Sequence, residues 1–435
     1  MTVEPSVIEE VRLTSFKSFS GAVLPLKDLT LIVGRNGSGK SNALDALWVL
    51  ARLAQGEDIR EALDGGREGP AVRGGAAGCA PFGQSFFELG CTVRTGPTVR
   101  KLDVRIQTEP TVQVTWERLG FDSNDLLITD PPRPDSGDIN ARWASKSLPP
   151  PAPVTFRATR LLASQVLARV PATPAGQKIH LAAAQVLAAL RSVFVLDPVP
   201  DRMRQYIPRR DVLLRRSAEN LSAAVASLLR DPDARERLRR ALADLNEQEV
   251  LDVTVTESDL DDLMLTLTER FKGHSTPVPA RIMSDGTLRF LAILTALMQA
   301  PTIDTTPEPL ASEDASGQTM VVIEELENGL HASQAAMLIG LIRDEVKRRR
   351  VRALATAHSP ALLDALSGEE HGSVVVCQRG SDGASILTPL VDLPNYLDIV
   401  AGGGLGRAAE HDRLRAREPT QDPVDVLDRI LRGQP

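Results

Sequence analysis

An eight-residue run, Gly34 to Ser41, constrains the fold of this chain more than any other feature, because it requires a turn that few residues can adopt. The run reads GRNGSGKS and fits the pattern G-x-x-x-x-G-K-S/T. It follows an apolar, strand-like segment, Leu29–Val33, and precedes a helical pattern over Asn42–Leu53. Glycines, which have no Cβ, allow backbone N–H groups to face inward around a diphosphate. The context therefore predicts a strand–turn–helix unit that cradles phosphate groups.

The residues of this phosphate loop have separate expected roles. The glycines open the turn, the ammonium of Lys40 can lie between the β- and γ-phosphates, and the hydroxyl of Ser41 can ligate Mg²⁺. A glycine-rich hairpin turn is the alternative, but the pattern is rare by chance in a chain of this composition. The residues that we expect to contact nucleotide here are Gly34, Arg35, Asn36, Gly37, Ser38, Gly39, Lys40, Ser41 and Asn42.

A second chemical feature is the apolar run Met320–Ile323, which ends in the carboxylates Glu324 and Glu325. In phosphate-loop enzymes, a strand beside the loop carries a carboxylate that holds Mg²⁺ through water, and the next residue can polarise the attacking water. We therefore assign the metal role to Glu324 and the water-activating role to Glu325. Many strands end in charged loops, so this assignment depends on the phosphate loop.

Composition excludes several classes of protein. Of the 435 residues, 42% are apolar and 25% are charged, values that are typical of a globular chain and exclude a mainly disordered or collagen-like one. The formal charge of −7 argues against a polycation that coats nucleic acid. Cys79, Cys91 and Cys377 are too scattered for a disulfide framework or a zinc site, and we expect them to be buried thiols.

The sequence shows no sign of export or of membrane insertion. The N-terminus, MTVEPSVIEEV, has neither the basic nor the apolar region of a secretory signal. The most apolar stretch, Phe290–Met298, is far shorter than the roughly 20 residues that span a bilayer. These features predict a cytoplasmic protein without membrane contact.

The pattern along the chain predicts an α/β fold whose N-terminal lobe covers residues 1–121. This lobe holds the phosphate loop, a glycine-rich stretch over 56–85 that is typical of a long surface loop, and alternating residues over Phe86–Leu119 that indicate antiparallel strands. The C-terminal lobe, 281–435, alternates helix and strand, as a mainly parallel layer does.

Residues 122–280 separate the two lobes. We predict a proline-rich linker or mobile loop over 122–153 and then a mostly helical insertion to about Leu245. Strands are expected to return at Glu249–Thr256 and Leu263–Glu269.

Arginines are concentrated in this insertion. Asp201–Arg240 contains 11 arginines against six acidic residues. One interpretation is a surface that faces DNA or phosphate, with strong salt dependence. The other is a solvated helical face with ion pairs within helices, such as those available in DARERLRR. The chain has no zinc finger and few aromatic residues to support sequence-specific reading of bases.

Four motifs come in the order of an ABC-type ATPase head. They are the phosphate loop, Met283–Phe290 (MSDGTLRF), the acidic strand with its following ENGLH, and Ala355–Pro360 (ATAHSP). More narrowly, the chain resembles the RecF/SMC-like predicted AAA-family ATPases, whose SDGT, EEPENGLHP and TTHSP patterns it nearly reproduces. The resemblance covers nearly the full length, from LTSFKSFSG to DLPNYLDIVAGGGLG. No heptad run is long enough for an SMC-type arm.

The resemblance implies an ABC-type ATPase head (a P-loop NTPase) with an antiparallel β subdomain and a helical insertion. It also implies that Ser284, Asp285, Gly286 and Thr287 form a signature loop, which reaches the γ-phosphate of nucleotide on the opposite protomer. The residue types agree, because a serine hydroxyl and N–H groups at a helix start form an anion site. Ser284 is also a good N-cap for a helix over 287–299.

The remaining motifs receive their roles from the same resemblance. Glu327–Gly329 corresponds to the D-loop, which crosses the dimer interface, and His358 corresponds to the switch histidine, which contacts the γ-phosphate or the attacking water. The expected catalytic residues are thus Lys40, Glu325 and His358.

The chain also departs from the family pattern. Leu326 and Ala332 replace prolines, and Glu324 stands where many ABC ATPases have aspartate. None of these changes removes a catalytic group, so they bear on rate more than on activity. Gln84 is a candidate for the Q-loop glutamine, with a plain loop residue as the alternative.

The function that the resemblance implies is hydrolysis of ATP, with Mg²⁺, in a head-to-tail homodimer; a higher oligomer and DNA binding stay open. Each ATP would lie between Gly34–Ser41 of one subunit and Ser284–Thr287 of the other. The subunit motion would then drive or gate an effector, for example a nuclease. Compact relatives often serve in DNA repair or in anti-phage defence.

Two other classes stay open. The first is a nuclease with an ATPase control domain, as in the overcoming-lysogenization-defect family. The 77 residues after His358 contain no Asp-x-Asp, which argues against a fused Toprim nuclease. The second is a scaffold that binds ATP, dimerises and recruits a partner with little turnover.

Overall fold

A computed structural model describes residues 4–66, 71–122, 124–132, 136–144, 152–245, 248–300, 315–402, 404–411 and 413–414. The strands are β1 (Val7–Phe16), β2 (Phe19–Pro25), β3 (Leu29–Val33), β4 (Phe86–Thr95), β5 (Thr98–Gln107), β6 (Gln113–Gly120), β7 (Asp125–Thr129), β8 (Asp138–Trp143), β9 (Val154–Arg157), β10 (Val193–Leu196), β11 (Ile207–Pro208), β12 (Val250–Glu257), β13 (Asp262–Phe271), β14 (His274–Pro279), β15 (Met320–Ile323), β16 (Arg352–Ala357), β17 (Val374–Arg379) and β18 (Ser385–Pro389).

The α-helices of the described residues are α1 (Lys40–Ala54), α2 (Ile59–Asp64), α3 (Val166–Arg169), α4 (Pro174–Arg191), α5 (Pro200–Met203), α6 (Leu221–Leu228), α7 (Pro232–Leu245), α8 (Asp285–Gln299), α9 (Ala332–Arg349), α10 (Pro360–Asp364), α11 (Tyr396–Ala401) and α12 (Leu405–Glu410). The predicted strand before the phosphate loop and the predicted helix after it are β3 and α1.

Five adjacent strands of the main sheet form a parallel part. The strands β10, β15, β16, β3 and β17 lie side by side in that order and run in one direction. Every residue of β3, β15 and β16 is buried, as expected for strands with both faces covered. Because these strands are parallel, the segments that follow them emerge at one edge of the sheet.

The rest of the sheet is mainly antiparallel. It continues through β18, β2, β1 and then β4 to β9 in chain order, so that 14 strands of the described residues form one sheet. The two parts join through β17 and β18, which pair antiparallel, and through a short parallel contact between β18 and β2. The antiparallel strands predicted over Phe86–Leu119 are present as β4, β5 and β6.

Side chains that alternate along β3 divide the core into two layers. Ile32 points into a core with α1, α4 and the antiparallel strands, whereas Leu31 and Val33 point into a second core with α8 and α9. The phosphate loop therefore begins between two packed layers, which hold both of its ends.

Two predicted loops contain structure. The 56–85 stretch holds α2, and its apolar side chains are buried in the core, among them Leu63, Val72 and Cys79. The 122–153 stretch holds β7 and β8, whose buried Leu126, Leu127 and Ile139 continue the sheet. The sequence did not predict these elements, because the glycines and prolines around each short apolar group interrupt the periodicity of a helix or strand. Residues 123, 133–135 and 145–151 lie outside the described part.

The segment predicted as a helical insertion contributes to both lobes. Its helices α4, α6 and α7 match the predicted ones, and α4 packs on α1. The next strand, β10, pairs parallel with β15 and forms the edge of the main sheet. Strands β11 to β14 build a second, four-stranded sheet that includes both predicted return strands. The domain boundaries at 121 and 280 stay a prediction.

The acidic strand does not lie directly beside the phosphate-loop strand, contrary to our expectation. Strand β16 lies between β15 and β3 and pairs with both. The segment after β16 carries His358, so the predicted switch lies between the phosphate loop and the acidic pair.

The cysteines are buried thiols, as predicted. Cys79, Cys91 and Cys377 are buried and free. Burial raises the pKa of Cys79 and of Cys91 to about 12, so both stay protonated near neutral pH. In the described part of the chain, no helix is long and apolar enough to cross a bilayer.

One buried arginine joins the parallel and the antiparallel parts of the main sheet. Arg352, the first residue of β16, donates to the carbonyl of Ile8 in β1 and to that of Leu26, which follows β2, the latter at 2.5 Å. Burial lowers the pKa of Arg352. Its hydrogen bonds satisfy two buried carbonyls where the parallel and antiparallel strands meet.

Replacing Arg352 with Met should lower the free energy of unfolding by about 2 kcal/mol, because it leaves two buried carbonyls without a donor. Urea titration followed by circular dichroism measures this. The control is Arg348→Met on the exposed side of α9, with an expected change within about 0.5 kcal/mol. Equal stability of the two variants would contradict the role of Arg352.

Candidate nucleotide-binding site

The glycines of the phosphate loop are required by close backbone contact. A Cβ on Gly34 would lie 2.2 Å from the carbonyl oxygen of Cys377, and one on Gly39 would lie 2.3 Å from Ser385 Oγ. Gly37 and Gly39 also have φ values of 78° and 114°, which side chains disfavour. The loop therefore fits against β17 and β18 only with glycine at positions 34 and 39, whereas at position 37 glycine is favoured by the backbone angle alone.

Lys40 lies at the centre of this loop. Its ammonium donates to the carbonyls of Gly34, at 2.6 Å, and of Arg35, at 3.1 Å. Burial lowers the pKa of Lys40, against the attraction of Glu327, Glu325 and Glu324 among others. A partly desolvated ammonium that is held inside the loop is suited to bind phosphate oxygens.

Strands β17 and β18 brace the loop from outside. Arg379 Nε donates to the Gly37 carbonyl at 3.0 Å, and Ser385 Oγ donates to the Ser38 carbonyl at 2.6 Å. Asn42, just after the loop, donates to Ser18 Oγ at 2.9 Å. These contacts hold the outer side of the loop against β17, β18 and the segment between β1 and β2. The sequence motif contained no signal for Arg379 or Ser385.

The acidic pair lies at the end of β15, as predicted. Glu325 has a left-handed backbone with φ of 52°, and its N–H donates to Thr356 Oγ1 at 2.8 Å. Such strain in a residue other than glycine is common at functional sites. The carboxylate of Glu325 is exposed and accepts from Asn328 Nδ2 at 3.1 Å. It is therefore free to contact a water molecule in the site.

Arg73 is a site residue that sequence reasoning missed, because it lies in the stretch predicted as a surface loop. Its guanidinium pairs with Asp45 at 2.9 Å and with Glu324 at 3.0 Å, and donates to the Ser41 carbonyl at 3.1 Å. Burial lowers the pKa of Arg73, but the hydrogen bonds and negative charges of Asp45 and Glu324 outweigh burial and raise this pKa above its usual value. Lys17 holds the second oxygen of Asp45 at 2.8 Å.

Arg73 joins the two residues predicted to hold a metal, because its guanidinium contacts the backbone carbonyl of Ser41 and the carboxylate of Glu324. Mg²⁺ is typically held by one or two protein oxygens together with phosphates and water. The described residues contain no cluster of three or more His, Cys, Asp or Glu that could hold a metal. A serine hydroxyl and a carboxylate, the side chains of Ser41 and Glu324, are of the kind that holds Mg²⁺ together with phosphates and water.

His358 follows β16 and lines a cleft of about 630 Å³ together with the tip of the phosphate loop, Gly34–Ser38. Its side chain is half exposed, and its Nδ1 lies 3.2 Å from Glu327 Oε1. Leu414, near the end of the described chain, also lines this cleft. The structure therefore brings the predicted switch histidine to the phosphate loop.

The predicted signature loop forms the start of α8. Ser284 caps this helix by accepting from the Thr287 N–H at 3.1 Å. Arg204 holds the loop, since it pairs with Asp285 at 2.6 Å and donates to the Met283 carbonyl at 2.9 Å. A Cβ on Gly286 would lie 2.2 Å from the carbonyl oxygen of Gly329. The signature loop thus packs on the loop after the acidic pair, and it does not line the cleft of His358.

Comparison with known families agrees with this geometry. A family model described as "AAA domain, putative AbiEii toxin, Type IV TA system" matches residues 29–364, which is most of the chain. The chain belongs to this family. The match begins at β3 and ends at Asp364, so it includes all four motifs. This match confirms the prediction that the chain is a RecF/SMC-like, ABC-type ATPase. The parallel strands with the phosphate loop after β3 agree with that class.

Solved structures with a similar fold include the SMC head domain from Thermotoga maritima, at 13% identity and a TM-score of 0.41, with 88% of this chain and 98% of that chain covered. An SMC head bound to the C-winged helix domain of ScpA aligns at 13% identity and a TM-score of 0.45, over 88% and 97%. The recombination mediator RecF aligns at 12% and 0.40, over 88% and 99%. No curated protein matches the chain in sequence.

Most arginines of Asp201–Arg240 have acidic partners in this AAA-family chain. Arg216 also lies over the ring of Trp48 in α1, 3.7 Å from its centroid. This arrangement favours ion pairs over a surface that faces DNA. The arginines with carboxylate partners are Arg204, Arg209, Arg215, Arg216, Arg235, Arg237, Arg239 and Arg240.

Gln84, the candidate for the Q-loop, accepts from Ser15 Oγ at 2.9 Å on the surface. It lines a second cleft, of about 680 Å³, together with Ser18 and Asn42. The structure thus places Gln84 near the helix that follows the phosphate loop, but gives it no contact with the acidic pair.

Replacing Gly34 with Ala should weaken ATP binding roughly 10- to 100-fold, because the new methyl group must displace the loop from β17. Binding of a fluorescent ATP analogue measures the loss. The control is Gly37→Ala in the same loop, where φ is also positive, at 78°, but no atom lies within 4 Å of an added Cβ. An equal loss in both variants would show that backbone strain, not contact with β17, requires the glycine.

Proposed function

We propose that this chain hydrolyses ATP in a head-to-tail homodimer and that the resulting motion gates a partner protein. The observation that carries the proposal is the position of the signature loop. Lys40, Glu324, Glu325 and His358 follow strands that end at the carboxyl edge of the sheet, whereas Ser284 caps the start of α8, whose Gly286 packs on Gly329 beyond the acidic pair. A helix N-terminus with a serine hydroxyl is an anion site. A second copy would supply the phosphate that fills it.

The residues at this edge of the sheet divide the chemistry between them. Lys40 and the N–H groups of the loop bind the β- and γ-phosphates, and Arg73 adds positive charge beside Ser41. When bound, Mg²⁺ would neutralise charge on the phosphate oxygens. The exposed carboxylate of Glu325 takes a proton from the attacking water. His358 contacts this reacting end, and the partner's signature loop closes the pocket and excludes solvent.

The family description supports a place in defence rather than in DNA repair, because it names a toxin of type IV toxin–antitoxin systems. We therefore place the ATPase in the cytoplasm, beside an effector such as a nuclease that it activates or holds back. The paired arginines of Asp201–Arg240 give no support for DNA as a direct ligand.

Glu325→Gln should lower the turnover number for ATP at least about 100-fold, because the amide accepts no proton. ATP binding should persist, so the variant should accumulate as an ATP-bound dimer. Phosphate release and native mass with and without ATP measure both effects. The control, Lys40→Ala, should bind little ATP and remain monomeric. Normal turnover by Glu325→Gln would remove the assignment of Glu325.

Mixing two inactive variants tests the head-to-tail arrangement. Ser284→Asp keeps a good helix cap but repels phosphate, whereas Ser284→Asn keeps the cap without charge and should stay active. Ser284→Asp and Lys40→Ala should each be inactive alone. An equal mixture should regain about a quarter of wild-type activity, because half of the dimers then hold one intact site of two.

The outcomes of this mixing separate the proposed function from its alternatives. No recovery, together with full activity of a dilute monomer, would contradict the shared site. ATP-dependent pairing with negligible phosphate release in single-turnover conditions would indicate a scaffold. Cleavage of DNA by the purified chain with Mg²⁺ would indicate a nuclease.

A further inference from the structure

Glu327 differs from its neighbours in the loop after the acidic strand, because its side chain points inward. It is only 7% exposed, whereas Asn328 and Gly329 are exposed. The family resemblance predicts that this loop crosses the dimer interface. The structure instead directs the carboxylate of Glu327 into its own subunit, toward the segment that follows β16.

A single oxygen of Glu327 accepts two backbone N–H groups of that segment and also lies close to a side-chain nitrogen. Oε1 accepts the backbone N–H of His358 and that of Ser359, the latter at 2.7 Å, and lies 3.2 Å from His358 Nδ1. The second oxygen, Oε2, is buried with no hydrogen-bond partner among the described residues. Both the backbone and the ring of His358 are therefore held by one buried carboxylate.

This contact favours one position for the ring hydrogen. A carboxylate oxygen only accepts, so an Nδ1 of His358 without hydrogen would place two acceptors 3.2 Å apart, which repel each other; hydrogen on Nδ1 turns the contact into an attraction. In a neutral imidazole, the other nitrogen, Nε2, then has no hydrogen and can only accept. The ring lies at the cleft beside Gly34–Ser38.

We propose that Glu327 is a positioning residue that holds His358 in the Nδ1–H form, so that Nε2 accepts a hydrogen bond from the attacking water. A bare Nε2 cannot donate to the γ-phosphate, so the water is its partner. The proposal rests on the function proposed above, and it narrows the two roles open to the switch histidine to one. Glu327 orients the histidine that orients the water, and Glu325 takes the proton.

The hydrogen position can be measured directly in the wild-type protein. Two-dimensional NMR of ¹⁵N-histidine-labelled protein with a non-hydrolysable ATP analogue and Mg²⁺, at pH 8, distinguishes the two tautomers by their nitrogen shifts. The signal is assigned by its loss in His358→Ala. We expect hydrogen on Nδ1. Hydrogen on Nε2 in the wild type would overturn the proposal.

Variants then test whether Glu327 acts through His358. Glu327→Met removes every acceptor and should lower the turnover number about 10- to 100-fold while ATP affinity stays within about twofold. Its histidine signal should shift toward the Nε2–H form. Glu327→Gln keeps an acceptor oxygen and should recover most of the activity and the original tautomer. The control, Glu369→Met at an exposed position, should behave as wild type.

A double variant separates positioning from a structural role. If Glu327 acts only through His358, then Glu327→Met should cause no further loss in a His358→Ala background. A further loss of tenfold or more, or an equal fall in ATP affinity, would show that Glu327 supports the loop in another way. Wild-type turnover by His358→Ala would instead contradict the role of His358 in the proposed function.

Discussion

The shared carboxyl edge of the parallel strands is the constraint on which the site depends. Because β15, β16 and β3 run in one direction, the acidic pair, the switch histidine and the phosphate loop all emerge at that edge. Neighbouring strands lie about 4.8 Å apart, so β15 and β3 are separated by about 10 Å. A triphosphate with its metal can span that distance. The intervening β16 places His358 between the two ends.

Buried charge holds the catalytic side chains in place from behind. Asp45 on α1 binds both Lys17 and Arg73, and Arg73 in turn reaches Glu324. Glu327 holds the segment after β16 in the same way. A carboxylate out of water must be paired or hydrogen-bonded, so each of these groups constrains its partners. The result is a site whose parts come from distant segments of the chain and are joined by charge pairs and hydrogen bonds.

The contact between Gly286 and Gly329 gives the proposed dimer a physical connection between its two sites. The signature loop would serve the partner's ATP, whereas Gly329 follows the acidic pair that serves the chain's own ATP. These two backbones touch so closely that no side chain fits between them. A shift of one therefore displaces the other, which is the kind of packed element through which sites are coupled.

The sequence by itself determined the local units. The glycines and Lys40 predicted the turn of the phosphate loop. Capping and periodicity predicted the helix that begins after Ser284 and the strand before Glu324. All three elements are present, because each signal lies within a few neighbouring residues. Only the tertiary structure showed that Arg73 reaches Glu324, that β16 separates β15 from β3, and that Glu327 faces inward. These depend on strand order and on burial between segments far apart in the chain, which no local pattern records.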